Sequence, residues 1–149
     1  MNTLDTIDQR IIDVVRADGR ITVNDLAEAV CLSPSPTLRR LRRLEADGVI
    51  TGYTAVVAPD AIERGFNVWV TARLAAGDPT HQSAFEEGMR AIAAVTEAHH
   101  VTGDVDYLIR VEVKDLAAYD HVIRNDLARL PGNAHITSYV VTSTVLDPR

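Results

Sequence analysis

Arg39, Arg40, Arg42 and Arg43 place four guanidinium groups in five consecutive positions of a chain with only 15 Lys+Arg against 21 Asp+Glu. Guanidinium groups hold phosphates and the acceptor edge of guanine, so a run of them at helical spacing suits a nucleic-acid duplex. A second cluster is Gly103-Asp104-Val105-Asp106-Tyr107. Its glycine lets backbone approach a ligand closely. Its two carboxylates alternate about Val105, point the same way on an extended chain, and suit an ammonium group. A polar β-turn between two strands accounts for the same residues equally well.

The arginines need a helix to space them. The pattern predicts one starting at Ser35, with Pro36 at the first helical position, and running to about Ala46 before Asp47-Gly48 stops it. On a wheel of roughly 100° per residue, Leu38, Leu41 and Leu44 form the buried stripe. Arg39 and Arg43 project opposite, flanked by Arg40 and Arg42, with Ser35 at the N-terminal end of that face. Ahead of it, Leu4, Ile7, Ile11 and Val14 or Val15 recur at helical spacing up to Gly19. A second helix is capped by Thr22 with Asp25 and buries Leu26, Ala27 and Val30. Three short helices can bury their faces only against one another. Val49 to Val57 reads as a hairpin turning at Gly52.

That set is a winged helix-turn-helix over residues 1–58. Ser33, Ser35, Pro36 and Thr37 would lie near base edges, with Arg39, Arg40, Arg42 and Arg43 on phosphates or guanine. The hairpin would rest on the adjacent backbone. The bland alternative is a solvated, basic surface helix.

Residues 59–65 read as a linker, and residues 66–149 as a second domain. Strands are predicted at 66–75, 95–102, 106–113 and 135–146, with helices at 80–94 and 115–130. The order βαββαβ folds into a four-stranded antiparallel sheet with both helices on one face, a ferredoxin-like (ACT-like) arrangement. The whole chain is then α+β. Trp69, Ile109, Val111, Val140 and Val145 are expected on the open sheet face, where a partner chain would cover them.

Composition narrows the class. A net charge of −6 opposes indiscriminate attraction to nucleic acid or an anionic membrane. The first 57 residues are nearly neutral, however, with seven Lys/Arg and eight Asp/Glu. No apolar run approaches the ~20 residues that span a bilayer, and the start lacks a secretory pattern. One cysteine, Cys31, excludes an internal disulfide and fits the cytoplasm. His99-His100 face opposite sides of a strand and lack further ligands at useful spacing, so no metal site is expected. Glu86-Glu87 reads as the solvated side of a helix.

LDTIDQRIIDVVRADGRITVNDLAEAVCLSPSPTLRRLRRLEADGVITGYTAVVAP resembles the N-terminal domain of the Lrp/AsnC, or feast/famine, transcriptional regulators. GDVDYLIRV resembles that family's effector-domain signature. The resemblance implies a DNA-binding regulator with an amino-acid effector and no other cofactor. It implies dimers joined through their sheets, often assembled into octamers, that wrap or bend double-stranded promoter DNA. Effectors would sit where dimers meet, on Gly103, Asp104, Asp106 and Tyr107, with Val141, Thr142 and Ser143 from the last strand. Cys31 departs from the family, standing in the turn where glycine is usual. It is expected to be a small, partly buried filler rather than a redox sensor.

The reading is of a regulator and not an enzyme. Some siroheme (tetrapyrrole) decarboxylases resemble the same two-domain fold, and His99, His100 and the arginine helix keep that alternative open. A spectrum taken during titration with a haem-type ligand separates the two. An amino-acid-sensing module acting on a partner enzyme is a third class, but it leaves the arginines without work.

Overall fold

The computed structural model describes residues 4–75, 79–132 and 134–146, and the chain divides into a unit of residues 1–56 and a unit of residues 57–149. In the first, α1 (Thr6–Ala17), α2 (Val23–Ala29) and α3 (Pro34–Ala46) bury Ile11, Val15, Leu26, Val30 and Leu44 against each other. Helix α1 opens with a capping box, in which Asp5 accepts from the Asp8 N–H and Asp8 from the Asp5 N–H. It ends at Asp18, one residue before the expected Gly19. Thr22 caps α2 through the Asp25 N–H, as the sequence predicts.

Helix α3 starts earlier than predicted: Ser33 is the N-cap and Pro34, not Pro36, occupies the first helical position. Its ring takes a place whose N–H would be unbonded anyway. The helix closes with the Val49 N–H on the Leu44 carbonyl (2.9 Å) and Gly48 at φ +70°, a left-handed closure that glycine enters without strain. The Ile50 N–H also returns to the Leu44 carbonyl (3.0 Å). Those two donors are therefore unavailable to a hairpin. Residues 51–58 run on with no strand partner, so the expected β-hairpin does not form within the chain. Tyr53 is instead tied to the end of α3, its hydroxyl donating to Glu45 at 2.7 Å. Burial, then this carboxylate, pushes the phenol up to about 12.

Helix α2 ends in the same way, with the Leu32 N–H on the Ala27 carbonyl and Cys31 at φ +57°. Cys31 is exposed, which corrects the expectation of a partly buried filler. A side chain in the left-handed region costs roughly 1–2 kcal/mol, while glycine's extra freedom in the unfolded chain returns part of that. Cys31→Gly is thus expected to stabilise this unit by about 0.5–1 kcal/mol. Thermal unfolding should show a gain of a few degrees; a loss would mean that the thiol has a structural contact.

The second unit has β1 (Phe66–Arg73), α4 (Pro79–Arg90), β2 (Val95–His100), β3 (Tyr107–Val113), α5 (Leu116–Asn125) and β4 (His135–Val140). Single 3-10 turns cover Pro59–Ile62 and Leu127–Arg129. The antiparallel sheet has order β2-β3-β1-β4, as βαββαβ requires. The strands and helices are shorter than predicted. Val68, Val70, Ala72, Tyr107, Ile109 and Val111 bury one sheet face with Phe85, Met89, Tyr119 and Val122.

Register corrects the list of open-face residues. Residues paired across neighbouring strands share a face. Val70 pairs with Ile109, and Val68 with both Val111 and Val140. Ile109, Val111 and Val140 therefore belong to the helix side, although Val140 remains 47% exposed. Trp69 pairs with Arg110 and Tyr139, and that trio faces the open side. Val145 lies past the end of β4. The open face is amphipathic, with Arg110 ion-paired to Glu112 at 2.8 Å and its guanidinium 6.0 Å from the Trp69 ring. No helix among the described residues is long and apolar enough to cross a membrane.

Candidate nucleic-acid interface and effector region

The arginine cluster divides into two pairs. Asp8 lies on the same stripe of α1 as Ile11 and Val15 and is 1% exposed. Arg40 reaches its Oδ1 at 2.8 Å and Arg43 its Oδ2 at 2.5 Å, while Arg40 also meets Asp5 Oδ2 at 2.6 Å. The Asp8 N–H and then Arg40 hold the Asp5 carboxyl below its ordinary range; Asp5 and then Asp8 raise Arg40. The α1 capping box thus doubles as a clamp on α3. Arg40 and Arg43, expected on the outward face, are turned to this clamp, with side chains 24% and 40% exposed.

Arg39 and Arg42 are exposed and make no ion pair among the described residues. They share a face with exposed Ser35, at spacings of four and three residues. Ser33 is exposed and Pro36 half-buried. Thr37 is fully buried, and its hydroxyl donates to the Ser33 carbonyl at 3.0 Å, so it belongs to the packing of α3 and not to its outward surface. The wheel fails here because it treats every position off the leucine stripe as solvent, whereas α1 covers one flank. What remains outward is a narrow strip of two cations and two serines on a helix of 13 residues.

The predicted effector residues separate. Gly103 (φ +134°) and exposed Asp104 lie in the β2–β3 connection; Asp104 has no partner among the described residues. Asp106 is engaged, its Oδ2 accepting the Leu74 N–H at 2.7 Å. That bond ties the connection to the end of β1. Tyr107 is 1% exposed, and its hydroxyl donates to Glu86 on α4 at 2.9 Å. Burial, then Glu86, pushes its phenol up to about 12; the same bond holds the Glu86 carboxyl below its ordinary range.

Val141, Thr142 and Ser143 lie at the other end of the sheet. The Val141 N–H bonds the Asn67 carbonyl at the start of β1, whereas Tyr107 pairs with Ala72 near its finish. Within one chain the two sets do not form one site. Val141 to Ser143 line a separate cavity of about 250 Å³ with Arg64, Asn67 and Arg110. Sequence reasoning missed Glu86 and Arg90, which lie one turn apart on α4 beside a groove at Tyr107. It read this acid as plain solvated surface. A tyrosine at the head of a strand, needing a partner for its hydroxyl, was the available signal.

A family profile described as the Lrp/AsnC ligand-binding domain matches residues 67–149, and one described as a winged helix-turn-helix DNA-binding domain matches residues 4–51. The leucine-responsive regulatory proteins of Escherichia coli K12 and Klebsiella pneumoniae are each 39% identical over 142 residues, 95% of this chain and 87% of theirs. A Neisseria meningitidis transcriptional regulator solved with L-Met superposes at a TM-score of 0.90, with 28% identity over 97% of this chain and 94% of that one. An AsnC-family regulator from Agrobacterium tumefaciens gives 0.89 and 31% identity over the same shares. The helix-turn-helix with its outward arginines and the four-stranded domain that follows it in the sequence are therefore those of a regulator, and the chain belongs to the Lrp/AsnC family of transcriptional regulators.

Proposed function

We propose that the chain reads duplex DNA through Ser33, Ser35, Arg39 and Arg42 of α3, and that a free amino acid bound by the second unit alters this binding. The observation that carries the reading is the asymmetry of the arginines. A buried acid anchors one pair, which fixes the rotation of α3 and holds the other pair and the serines outward. A rigid helix with a fixed outward strip is what base readout in a major groove requires. The leucine-responsive relatives and the regulator solved with L-Met support an amino acid as the effector. A dimer formed through the open sheet face, with further assembly, is part of the proposal; the exposed Tyr139 beside Trp69 and Arg110 supplies an amphipathic surface for it.

The test is fluorescence anisotropy with promoter fragments across a salt series, with each of the twenty amino acids added in turn. Binding that weakens steeply with salt, and shifts with at least one amino acid, is expected. Salt-insensitive or absent binding defeats the DNA reading. Binding that no amino acid alters, together with no thermal shift, defeats the effector reading.

A further inference from the structure

Every other α-helix whose N-cap is described commits that residue's side chain to the N–H of its third residue. Asp5 accepts from the Asp8 N–H at 2.8 Å, Thr22 from the Asp25 N–H at 3.2 Å and Asp115 from the Ala118 N–H at 2.8 Å. Ser33 has the same extended capping backbone (φ −79°, ψ 157°) as Thr22 (φ −73°, ψ 156°), yet its side chain makes no capping bond. The third residue of α3 is Pro36, which has no N–H to give. Pro34 removes the first N–H as well, so of residues 34–36 Ser35 alone keeps one. Ser33 is nonetheless fixed by its backbone. Its carbonyl accepts both the Thr37 N–H at 3.3 Å and the buried Thr37 hydroxyl at 3.0 Å. Its own hydroxyl has no partner among the described residues and stands at the head of the strip formed by Ser35, Arg39 and Arg42.

We propose that Pro36 is a positioning residue for DNA reading: by withholding the capping N–H it leaves the Ser33 hydroxyl free for a base edge in the major groove. The proposal rests on the reading of α3 as the helix that enters the groove. A serine that caps its own helix is turned toward its own backbone and accepts locally. A serine denied that bond keeps a donor and two acceptor lone pairs, which suit either kind of base-edge partner. Thr37 meanwhile holds the Ser33 backbone, so the free hydroxyl is presented from a fixed point. The arrangement gives up helix stability for discrimination, since α3 lacks the side-chain cap that α1, α2 and α5 each have.

Ser33→Ala, Pro36→Ala and the double variant of the full chain form a cycle, read by thermal melts and by anisotropy with promoter and random duplexes of equal length. Ser33→Ala should keep the melting temperature, the salt slope and the random-duplex affinity, and lower the promoter-over-random ratio roughly tenfold per recognition helix. Pro36→Ala supplies the missing N–H, draws the hydroxyl into a cap and should lower the ratio by a similar factor. The double variant should fall no further than either single one. Melts give the complementary pattern: Ser33→Ala should cost about 5 °C on the Pro36→Ala background, where the hydroxyl is a cap, and nothing on the wild type. An unchanged ratio in Ser33→Ala overturns the proposal and leaves the arginine reading standing. A ratio that Pro36→Ala leaves intact, or losses that add in the double variant, overturn the positioning role of Pro36. Equal losses on promoter and random duplex put Ser33 on a phosphate and overturn the base contact. A wild type that does not distinguish the two duplexes defeats the reading of α3 itself.

Discussion

Changing Arg39 and Arg42 together to alanine is expected to weaken duplex binding roughly 100-fold and to flatten its salt dependence by about two units of log–log slope per recognition helix. Each guanidinium aimed at a guanine edge or a phosphate contributes on the order of 1–3 kcal/mol, and two independent losses add. Both side chains are exposed and make no ion pair among the described residues, so their removal should leave the melting temperature within about a degree. Arg40→Ala with Arg43→Ala gives the contrast. Those two guanidinium groups hold Asp8, so their loss should lower stability first and affinity second. Anisotropy titrations from low to moderate salt, paired with thermal melts, separate the two behaviours. If the Arg39/Arg42 variant binds with unchanged affinity and slope, α3 does not read the groove through this strip.

That division shows where the sequence was legible. Periodicity located the five α-helices and four strands found among the described residues, because amphipathic spacing and Gly or Pro punctuation are local signals. The βαββαβ order then left one sheet topology to expect. The hairpin failed because the donors of Val49 and Ile50 close α3, a competition that β-propensity does not register. The open-face list failed by register: Ile109 and Trp69 are both apolar, but pairing sends them to opposite faces. The effector set is spread along the sheet because Val141 lies beside Asn67 at the start of β1 and Tyr107 beside Ala72 near its finish, and Asp106, legible as a ligand, accepts the Leu74 N–H. The arginine error had a visible warning. Asp8, Ile11 and Val15 form one helical stripe, and an acid buried in such a stripe requires a cation from elsewhere. The cations that meet it are Arg40 and Arg43 of α3.

The same clamp makes one polar side chain of the first unit important to its stability. Asp8→Asn keeps the shape and the bond to the Asp5 N–H but removes the charge that two guanidinium groups share. A buried acid lost from an ion pair costs about 3–5 kcal/mol when everything is sealed, but both arginines here are partly exposed and re-solvate, which reduces the expectation to about 2 kcal/mol. For a unit this small that is a fall in melting temperature of roughly 10 °C. Asp5→Asn, at an exposed carboxyl whose one ion-pair partner among the described residues is Arg40, should cost far less. The clamp also hides charge from DNA. Freed from Asp8, Arg40 and Arg43 can reach phosphates, so Asp8→Asn should steepen the salt dependence of non-specific binding while blurring discrimination between promoter and random duplex, because α3 is no longer held at one rotation. A destabilised variant with unchanged salt slope and unchanged discrimination would reduce Asp8 to a packing residue. A variant that melts like the wild type would remove the clamp altogether.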